Sequence, residues 1–322
     1  MRTFPKISVS MNEGKVIISV LDVKIRKIIE SYENLFSTCL PASYIVVDSY
    51  FDETGNKFIL RFVDSRNYKQ ATFENLPDYI SHIRTLSPLE FELDGAHHIS
   101  LNDYPHFAIL GSTGSGKTFL AQLLMMQFIS KGFYVSVLDV KQSYSAFSDL
   151  VDYETNPQKI LQRLRDISEE MISRQAALSL ILKDNPRALA VDYGYNPIVV
   201  FIEEYIGLKT LLSKEENKEL DNLIKQISVL ARSVNIHLFI VAQSASVDLI
   251  DSSIKNNLNK IFMGYLSSNI QVSSFGNGVD VPKFAVLEKG CGYVQLDRVE
   301  QIKVPNVKYS VVELNNLYFR FR

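Results

Sequence analysis

Between residues 100 and 265, short apolar runs alternate with longer segments in which apolar positions recur every three to four residues. Short apolar runs are typical of buried strands, and the longer period is typical of amphipathic helices. A regular alternation of the two predicts an α/β fold with a mostly parallel sheet covered by helices on both faces. The predicted strands lie at 107–110, 134–140, 198–202, 236–242 and 261–265, and the predicted helices at 118–131, 160–182, 220–233 and 250–258.

The first 95 residues show a different order of elements. Two strand pairs are predicted there, 7–10 with 16–21 and 44–51 with 57–63, and an amphipathic helix lies between them at 23–36. We therefore expect two domains, a small α+β domain at 1–95 and a larger α/β domain at 96–322. At the end of the chain, residues 286–322 are predicted to form short strands with a turn at Gly290, Cys291 and Gly292.

A glycine-rich loop connects the first predicted strand of the larger domain to its first helix. The loop matches G-x-x-x-x-G-K-[ST], in which backbone N–H groups and the helix N-terminus bind the phosphates of a nucleotide. In this pattern the lysine contacts the terminal phosphates and the threonine hydroxyl binds Mg²⁺. The sequence therefore predicts ATP and Mg²⁺ as ligands. The predicted nucleotide-binding residues are Gly111, Ser112, Thr113, Gly114, Ser115, Gly116, Lys117 and Thr118, the last of which is also a predicted metal ligand.

The apolar strand at 198–202 ends in two adjacent carboxylates, Glu203 and Glu204. Ligands of parallel sheets bind at the carboxyl ends of the strands, so these acids are expected beside the phosphate loop, as is Asp139. An ATP-hydrolysing site needs one acid for Mg²⁺ and one to polarise the attacking water. We assign Glu203 to the metal, directly or through water, and Glu204 to the water.

Two further polar residues are candidates for a catalytic role. Gln243 ends the strand at 236–242, where it could sense the γ-phosphate or the attacking water. Arg232 ends the preceding helix, and its spacing allows two interpretations. It is either an arginine finger for a neighbouring subunit's site or a cation that complements the dipole at the end of its own helix.

Composition limits the classes of protein further. The 34 basic and 36 acidic residues give a net charge of −2, which excludes a global basic field but leaves room for a local basic channel. Two cysteines, Cys39 and Cys291, are too few for a disulfide framework or a zinc site. No apolar run reaches the roughly 18 residues that span a bilayer. We expect a soluble cytoplasmic protein that meets a membrane through a partner or a further segment.

Three stretches of the larger domain resemble one known family. LARSVNIHLFIVAQSASVDLIDSSIKNNLNKIFMGYLSS at 230–268 resembles the hallmark region of the FtsK/SpoIIIE DNA translocases, within the HerA/FtsK superfamily. PHFAILGSTGSGKT and VLDVK are similar to the phosphate loop and the D-P-K segment of that family. The resemblance spans roughly residues 100–300, and the short motor with its GCGYVQLD ending is most similar to coupling proteins of Gram-positive conjugative elements.

This resemblance implies a RecA-like P-loop ATPase core that moves DNA as a hexameric ring, with each site completed by the adjacent subunit. By position, it implies that Lys117 and Thr118 bind nucleotide and Mg²⁺, that Glu204 is the catalytic acid and that Gln243 is the sensor. For Arg232 it favours the arginine finger in the neighbouring site. The implied partners are DNA, further copies of the chain, and a relaxase or membrane transfer complex.

The sequence also departs from the family pattern. Glu203 stands where the family has aspartate, Val140 replaces a proline, and Ser244 and Ala245 replace Arg-Pro. The expected function is an ATP-dependent DNA translocase that acts as a conjugative coupling ATPase. One alternative is a packaging or replication ATPase of a phage or plasmid. Another is a docking protein that binds ATP and recruits a relaxase or membrane channel without processive DNA movement.

Overall fold

The computed structural model describes residues 6–10, 15–19, 44–51, 57–64, 70–185, 190, 194–243, 250–264, 274–276, 279, 281 and 289–319. Its N-terminal part is an antiparallel sheet of four strands, β1 (Lys6–Ser10), β2 (Lys15–Ser19), β3 (Tyr44–Phe51) and β4 (Lys57–Asp64). The strands lie in the order β1-β2-β4-β3, with a small core of Ile18, Phe58 and Leu60. Both predicted strand pairs are confirmed, and the helix predicted at 23–36 lies outside the described residues.

The segment from residue 70 to residue 101 packs on the main core. It contains β5 (Thr72–Phe73), α1 (Leu76–Ile83), β6 (Glu90–Glu92) and β7 (His98–Ser100). Asn75 caps α1 by accepting a hydrogen bond from the backbone N–H of Asp78. The buried Tyr79 of α1 shares one apolar cluster with Phe107 and Leu120 of the larger unit. The division after residue 95 stays a prediction, and this shared core favours an earlier one, near residue 70.

A single sheet of eight strands organises the larger unit. The strands are β8 (His106–Gly111), β9 (Tyr134–Asp139), β10 (Asp152–Glu154), β11 (Ile198–Glu203), β12 (Ile236–Gln243), β13 (Asn259–Met263), β14 (Cys291–Gln295) and β15 (Val299–Lys303). They lie in the order β10-β9-β11-β12-β8-β13-β14-β15; the first six run parallel, and β14 and β15 each pair antiparallel with the strand before them. All five predicted strands are present, displaced by at most two residues at either end.

Helices cover both faces of this sheet. Successive side chains of a strand point to opposite faces, so Phe201 joins one apolar cluster while Val200 and Ile202 join the other. The first cluster includes α2 (Lys117–Ser130), and the second includes α3 (Pro157–Asp184) and α5 (Lys214–Leu230), with α4 (Tyr205–Thr210) and α6 (Ser252–Lys255) beside them. The predicted α/β, RecA-like P-loop architecture is confirmed.

Two helices differ in extent from the prediction. A capping box of Ser213 and Glu216 starts α5 six residues earlier than expected, and a short 3₁₀ turn, Arg232–Val234, follows its end. The helix predicted at 250–258 is shortened to the four residues of α6. Within the described part of the chain, no helix combines the length and apolarity needed to cross a bilayer.

The C-terminal prediction is partly wrong. Of the three residues assigned to a turn, only Gly290 lies in one, because Cys291 and Gly292 belong to β14. Gly292 is required by close strand packing, since a Cβ there would lie 2.4 Å from the carbonyl oxygen of Phe262. After β16 (Asn306–Val307), which pairs with β5, the chain forms an unpredicted helix, α7 (Val311–Phe319). Reciprocal hydrogen bonds between Ser310 and Glu313 start this helix.

Candidate functional site

The glycine-rich loop joins β8 to α2 in a tight turn. Gly111, Gly114 and Gly116 have φ angles of 148°, 80° and 110°, in the region that favours glycine. A Cβ at Gly111 would lie 2.3 Å from the carbonyl oxygen of Met263, so no side chain fits there. Gly116 immediately precedes α2, and the free N–H groups of that helix start face the loop. The segment therefore has the backbone geometry of a phosphate-binding loop.

Lys117 is folded over this loop. Its Nζ donates hydrogen bonds to the carbonyl oxygens of Gly111 (2.9 Å) and Ser112 (2.8 Å). Burial lowers the pKa of the Lys117 ammonium, and the charges of Glu203 and Glu204 oppose that shift. Both acids are thus within electrostatic reach of the loop lysine, as the sequence predicted.

Glu203 is a buried acid at the end of β11. The Tyr144 hydroxyl donates a hydrogen bond of 2.6 Å to Glu203 Oε2, and Thr118 makes a side-chain hydrogen bond with the same tyrosine. Burial raises the pKa of Glu203 to about 7; the tyrosine hydrogen bond opposes the rise, and the charges of Asp139 and Glu204 add to it. Tyr144 therefore links the two predicted metal ligands, Thr118 and Glu203.

Asp139 ends β9 directly opposite Glu203 in the parallel register. It is fully buried, and its Oδ2 accepts hydrogen bonds from the Tyr144 N–H and the Tyr153 hydroxyl, both at 2.9 Å. Its Oδ1 accepts one from the Lys141 N–H at 3.1 Å. Asp139 thus fixes the loop that follows β9, because each donor except Tyr153 lies within that loop.

Glu204 follows β11 with a left-handed backbone, at φ 49° and ψ 58°, which is uncommon for a residue with a side chain. Its Oε2 accepts hydrogen bonds from Lys141 Nζ at 2.5 Å and from Gln243 Nε2 at 3.4 Å. The side chain passes close to Gly207 of α4, where an added Cβ would lie 2.9 Å from Glu204 Cγ. Glu204 is therefore held in one position from several sides.

Gln243 and Arg232 lie at opposite ends of β12. Gln243 is the last residue of β12 and pairs in register with Gly111, which places its amide beside the phosphate loop. Arg232 precedes β12 and is exposed. With a rise of about 3.3 Å per residue, the eight residues of β12 put about 23 Å between these two ends. Arg232 is therefore far from the site of its own chain.

The predicted site residues thus fall into two groups. The loop, Lys117, Thr118, both acids and Gln243 meet at the carboxyl edge of the sheet, whereas Arg232 does not. The sequence interpretation gave no role to Lys141 or Tyr144, although both contact the predicted acids. Their position after Asp139, at the carboxyl end of a parallel strand, is the signal that could have identified them.

Comparison with known proteins identifies the domain. The sequence model described as the central domain of helicase HerA matches residues 98–260, about half of the chain, and this match includes every site residue named above. Among relatives, the FtsK domain-containing protein YdcQ of Bacillus subtilis is 27% identical over 212 residues, covering 62% of this chain and 42% of that protein. DNA translocase FtsK of Staphylococcus aureus is 29% identical over 181 residues, covering 50% of this chain and 22% of that protein.

Solved structures agree on the fold. The pCW3 conjugation coupling protein TcpA, in a monomer form with ATPγS, has a TM-score of 0.64 at 17% identity and covers 94% of this chain and 89% of its own. EssC (ATPases 2 and 3) of Geobacillus thermodenitrificans has a TM-score of 0.55 at 16% identity, covering 72% of this chain and 48% of its own. The chain spans less than half the length of the two curated relatives. The FtsK-type resemblance is confirmed, and the chain belongs to the family of the HerA helicase central domain.

Proposed function

We propose that this chain hydrolyses ATP and uses the energy to move DNA, as one subunit of a hexameric ring. The observation that carries the proposal is the meeting of Lys117, Thr118, Glu203, Glu204 and Gln243 at one edge of the central sheet. The relative named DNA translocase FtsK supports DNA as the substrate that is moved.

The phosphate loop and Lys117 account for ATP binding. The left-handed glycines let the backbone approach the phosphates closely, and the start of α2 offers free N–H groups to their negative charge. Lys117 already lies over the loop, where its ammonium faces the two carbonyl groups that line it. Exchange of these carbonyl contacts for phosphate contacts requires only side-chain movement.

Thr118 and Glu203 fit a Mg²⁺ ion. Both side chains contact Tyr144, and hydroxyl and carboxylate oxygens are donors that Mg²⁺ prefers. When bound, Mg²⁺ neutralises the negative charge on the phosphates. Glu203 must be ionised to act as a ligand, and because burial raises its pKa to about 7, metal binding and proton release are coupled at this residue.

Glu204 is the proposed base for the attacking water. Its carboxylate lies within hydrogen-bond reach of Gln243, and the charge of Glu204 reaches Lys117. The left-handed backbone at the end of β11 directs this side chain away from the strand it follows. Gln243, which pairs in register with Gly111, is the proposed sensor of the terminal phosphate, and its hydrogen bond to Glu204 supports that role.

Arg232 and the coupling role complete the proposal. An exposed arginine at the amino edge of the sheet is available to a neighbouring subunit and is far from its own site. DNA contacts in the ring are proposed to be mainly to phosphates and independent of sequence. The fold shared with a conjugation coupling protein supports a role in conjugative transfer, with a relaxase or membrane transfer complex as partner.

The test measures ATP hydrolysis with and without DNA. We expect DNA to stimulate hydrolysis several-fold, and Lys117→Ala or Glu204→Gln to reduce the rate by at least about 100-fold, because each removes charge that acts in the transition state. Glu204→Gln should retain ATP binding, whereas Lys117→Ala should lose it. Displacement of a third strand from a DNA triplex would then report movement along the duplex.

Other outcomes favour the other functions. Hydrolysis that is indifferent to DNA, together with capture of a relaxase or channel protein in the presence of ATP, would favour the docking protein. A wild-type chain that binds ATP but shows no hydrolysis above the Glu204→Gln variant, with or without DNA, would contradict the proposed activity.

A further inference from the structure

Lys141 lies on the open side of the nucleotide site. Its Nζ donates a hydrogen bond of 2.5 Å to Glu204 Oε2; the Lys141 side chain is 45% exposed, compared with 11% for Glu204. Burial is the main cause of the lowered pKa of Lys117, and the charge of Lys141 adds to that shift. The two lysines therefore feel each other's charge, so the Lys141 ammonium contacts Glu204 and lies within electrostatic reach of the loop lysine.

The backbone that carries Lys141 is held in place. The Lys141 N–H donates to Asp139 Oδ1, and the next residue, Gln142, has a left-handed φ of 58° and donates to the Asp139 carbonyl oxygen at 3.2 Å. Two residues further on, the Tyr144 N–H donates to Asp139 Oδ2. Because a fully buried carboxylate fixes this turn, movement of Lys141 is confined to its flexible four-carbon side chain.

From this arrangement we infer that Lys141 is a positioning residue that exchanges its ammonium between Glu204 and the terminal phosphate of ATP. While paired with Lys141, the Glu204 carboxylate has one oxygen occupied by the ammonium, so that oxygen is not available to the attacking water. Once the ammonium moves to the phosphate, that oxygen is free to accept a hydrogen bond from water. The inference rests on the proposed ATP hydrolysis and makes the active form of Glu204 dependent on the third phosphate.

The charge of the terminal phosphate and the length of the triphosphate favour this exchange with ATP over ADP. The terminal phosphate of ATP carries more negative charge than a carboxylate and offers several acceptor oxygens, so it competes well for a lysine. ADP ends one phosphate earlier and leaves the Lys141 to Glu204 ion pair in place. Lys141 therefore contributes to the binding of ATP and contributes little to the binding of ADP.

The test compares the affinities of fluorescent N-methylanthraniloyl derivatives of AMP-PNP and ADP, with Mg²⁺ and without turnover. Lys141→Met should weaken AMP-PNP binding by about tenfold, the equivalent of one charge-assisted hydrogen bond, and change ADP binding by less than about twofold. Lys141→Arg should restore most of the lost affinity. Lys209→Met is the matched control, because Lys209 makes an ion pair with Asp221 at 2.7 Å outside the site.

Each outcome separates this inference from the proposed function. Equal weakening of both nucleotides, or no change in either, would overturn the exchange even if Glu204→Gln abolishes hydrolysis. Conversely, a wild-type chain without hydrolysis would contradict the proposed function, while nucleotide affinities still report on Lys141. If Lys141→Met is not folded by circular dichroism, Lys141→Gln gives the same comparison with a polar side chain.

Discussion

The two edges of the central sheet use polar residues in opposite ways. At the carboxyl edge, Glu203, Glu204 and Lys141 are charged groups that contact one another or a tyrosine beside the phosphate loop. At the amino edge, His106 and His237 are buried in the same sheet, and each has an Nε2 atom that lacks a hydrogen-bond partner within the described chain. The sheet therefore carries an ionic site at one edge and packed, neutral rings at the other.

This difference shows that groups able to change partners lie at the carboxyl edge of the sheet. The ion pair of Lys141 and Glu204 at the carboxyl edge can be exchanged when a new charge enters, because the Lys141 side chain is partly exposed and Glu204 also contacts Gln243. The neutral histidines at the amino edge have no such exchange available, and they serve packing. Arg232 is the exception at the amino edge, since it is exposed, and its proposed role is to complete a site on another copy of the chain.

The strongest challenge to this comparison is Arg232→Ala. If Arg232 completes a neighbour's site, hydrolysis should fall by about 10³-fold, the lower end of the range for arginine fingers, while ATP binding stays within about twofold. The cause is loss of a positive charge that stabilises the transition state from outside the chain. Hydrolysis rates and nucleotide affinities of the purified variant check this prediction.

Mixed assemblies test whether the arginine acts between chains. Equal amounts of Arg232→Ala and Glu204→Gln, each nearly inactive alone, should together regain up to about a quarter of the wild-type rate, because a site with an intact Glu204 can then take its arginine from the neighbouring chain. Arg298→Ala, which removes an exposed arginine that pairs with Glu300, should hydrolyse ATP at the wild-type rate. If the mixture stays inactive, the charge of Arg232 acts within its own chain, for example on the end of α5.

Much of the sheet and of the candidate site could be predicted, because the ends of the strands are recognisable in the sequence. Apolar runs bounded by Gly111, Asp139, Glu203 and Gln243 fix both the strands and the edge at which these residues meet. The architecture and the group of site residues follow from that rule. The roles of the individual residues remain predictions.

What could not be predicted depends on tertiary contacts. The pairing of Lys141 with Glu204 requires knowing that the chain turns back at Gln142, and that turn depends on buried Asp139. Gly292 was assigned to a turn because glycine is common in turns. In the structure it lies in a strand, where a neighbouring carbonyl oxygen leaves no space for a side chain. Helix α7 was missed for a different reason, because its start is a local capping pair of Ser310 and Glu313 that is readable from sequence but is overlooked when only periodicity is considered.

A smaller effect is expected from a substitution beside Glu204, the proposed base. Gly207 lies in α4, and a Cβ there would lie 2.9 Å from Glu204 Cγ, so Gly207→Val must displace the Glu204 side chain. Misplacement of a catalytic group by about 1 Å costs up to about 100-fold, so we expect kcat to fall between about 10-fold and 100-fold with little change in ATP affinity. Steady-state kinetics and nucleotide binding measure the two effects separately.

Gly207→Ala gives a graded control for that substitution. Alanine favours a helix by about 0.5–1 kcal/mol relative to glycine, so Gly207→Ala should unfold at the same or higher temperature even though it slows hydrolysis. A loss of rate that follows a loss of thermal stability would mean that α4 is disrupted. In that case the slower hydrolysis would not show that the rate depends on the position of the Glu204 side chain.

The smallest effect is expected at the amino edge, and it concerns stability. Burial lowers the pKa of His106 to about 3, with the charges of His237 and Arg232 adding to the shift, and burial lowers the pKa of His237 to about 4. Unfolded histidines titrate at about 6.5, so between that pH and the lower folded values these two residues bind more protons in the unfolded chain. Their contribution to stability is therefore complete above about pH 6.5 and falls as the pH drops, by up to about 1.4 kcal/mol per pH unit for each histidine.

His237→Gln isolates one of these contributions. The amide can still donate to the Pro105 carbonyl oxygen, which the His237 ring contacts through Nδ1 at 3.2 Å, but it does not take up a proton. Chemical denaturation at pH 7.5, 6.0 and 5.0 should show that the unfolding free energy of the variant falls less than that of the wild type as the pH drops, by up to about 1.4 kcal/mol per pH unit. Nucleotide affinity at pH 7.5 should be unchanged, because the substitution lies at the amino end of β12 and the site lies at the carboxyl end. An unchanged slope would mean that His237 is not held neutral by burial, and the contrast between the two edges would then rest on His106 alone.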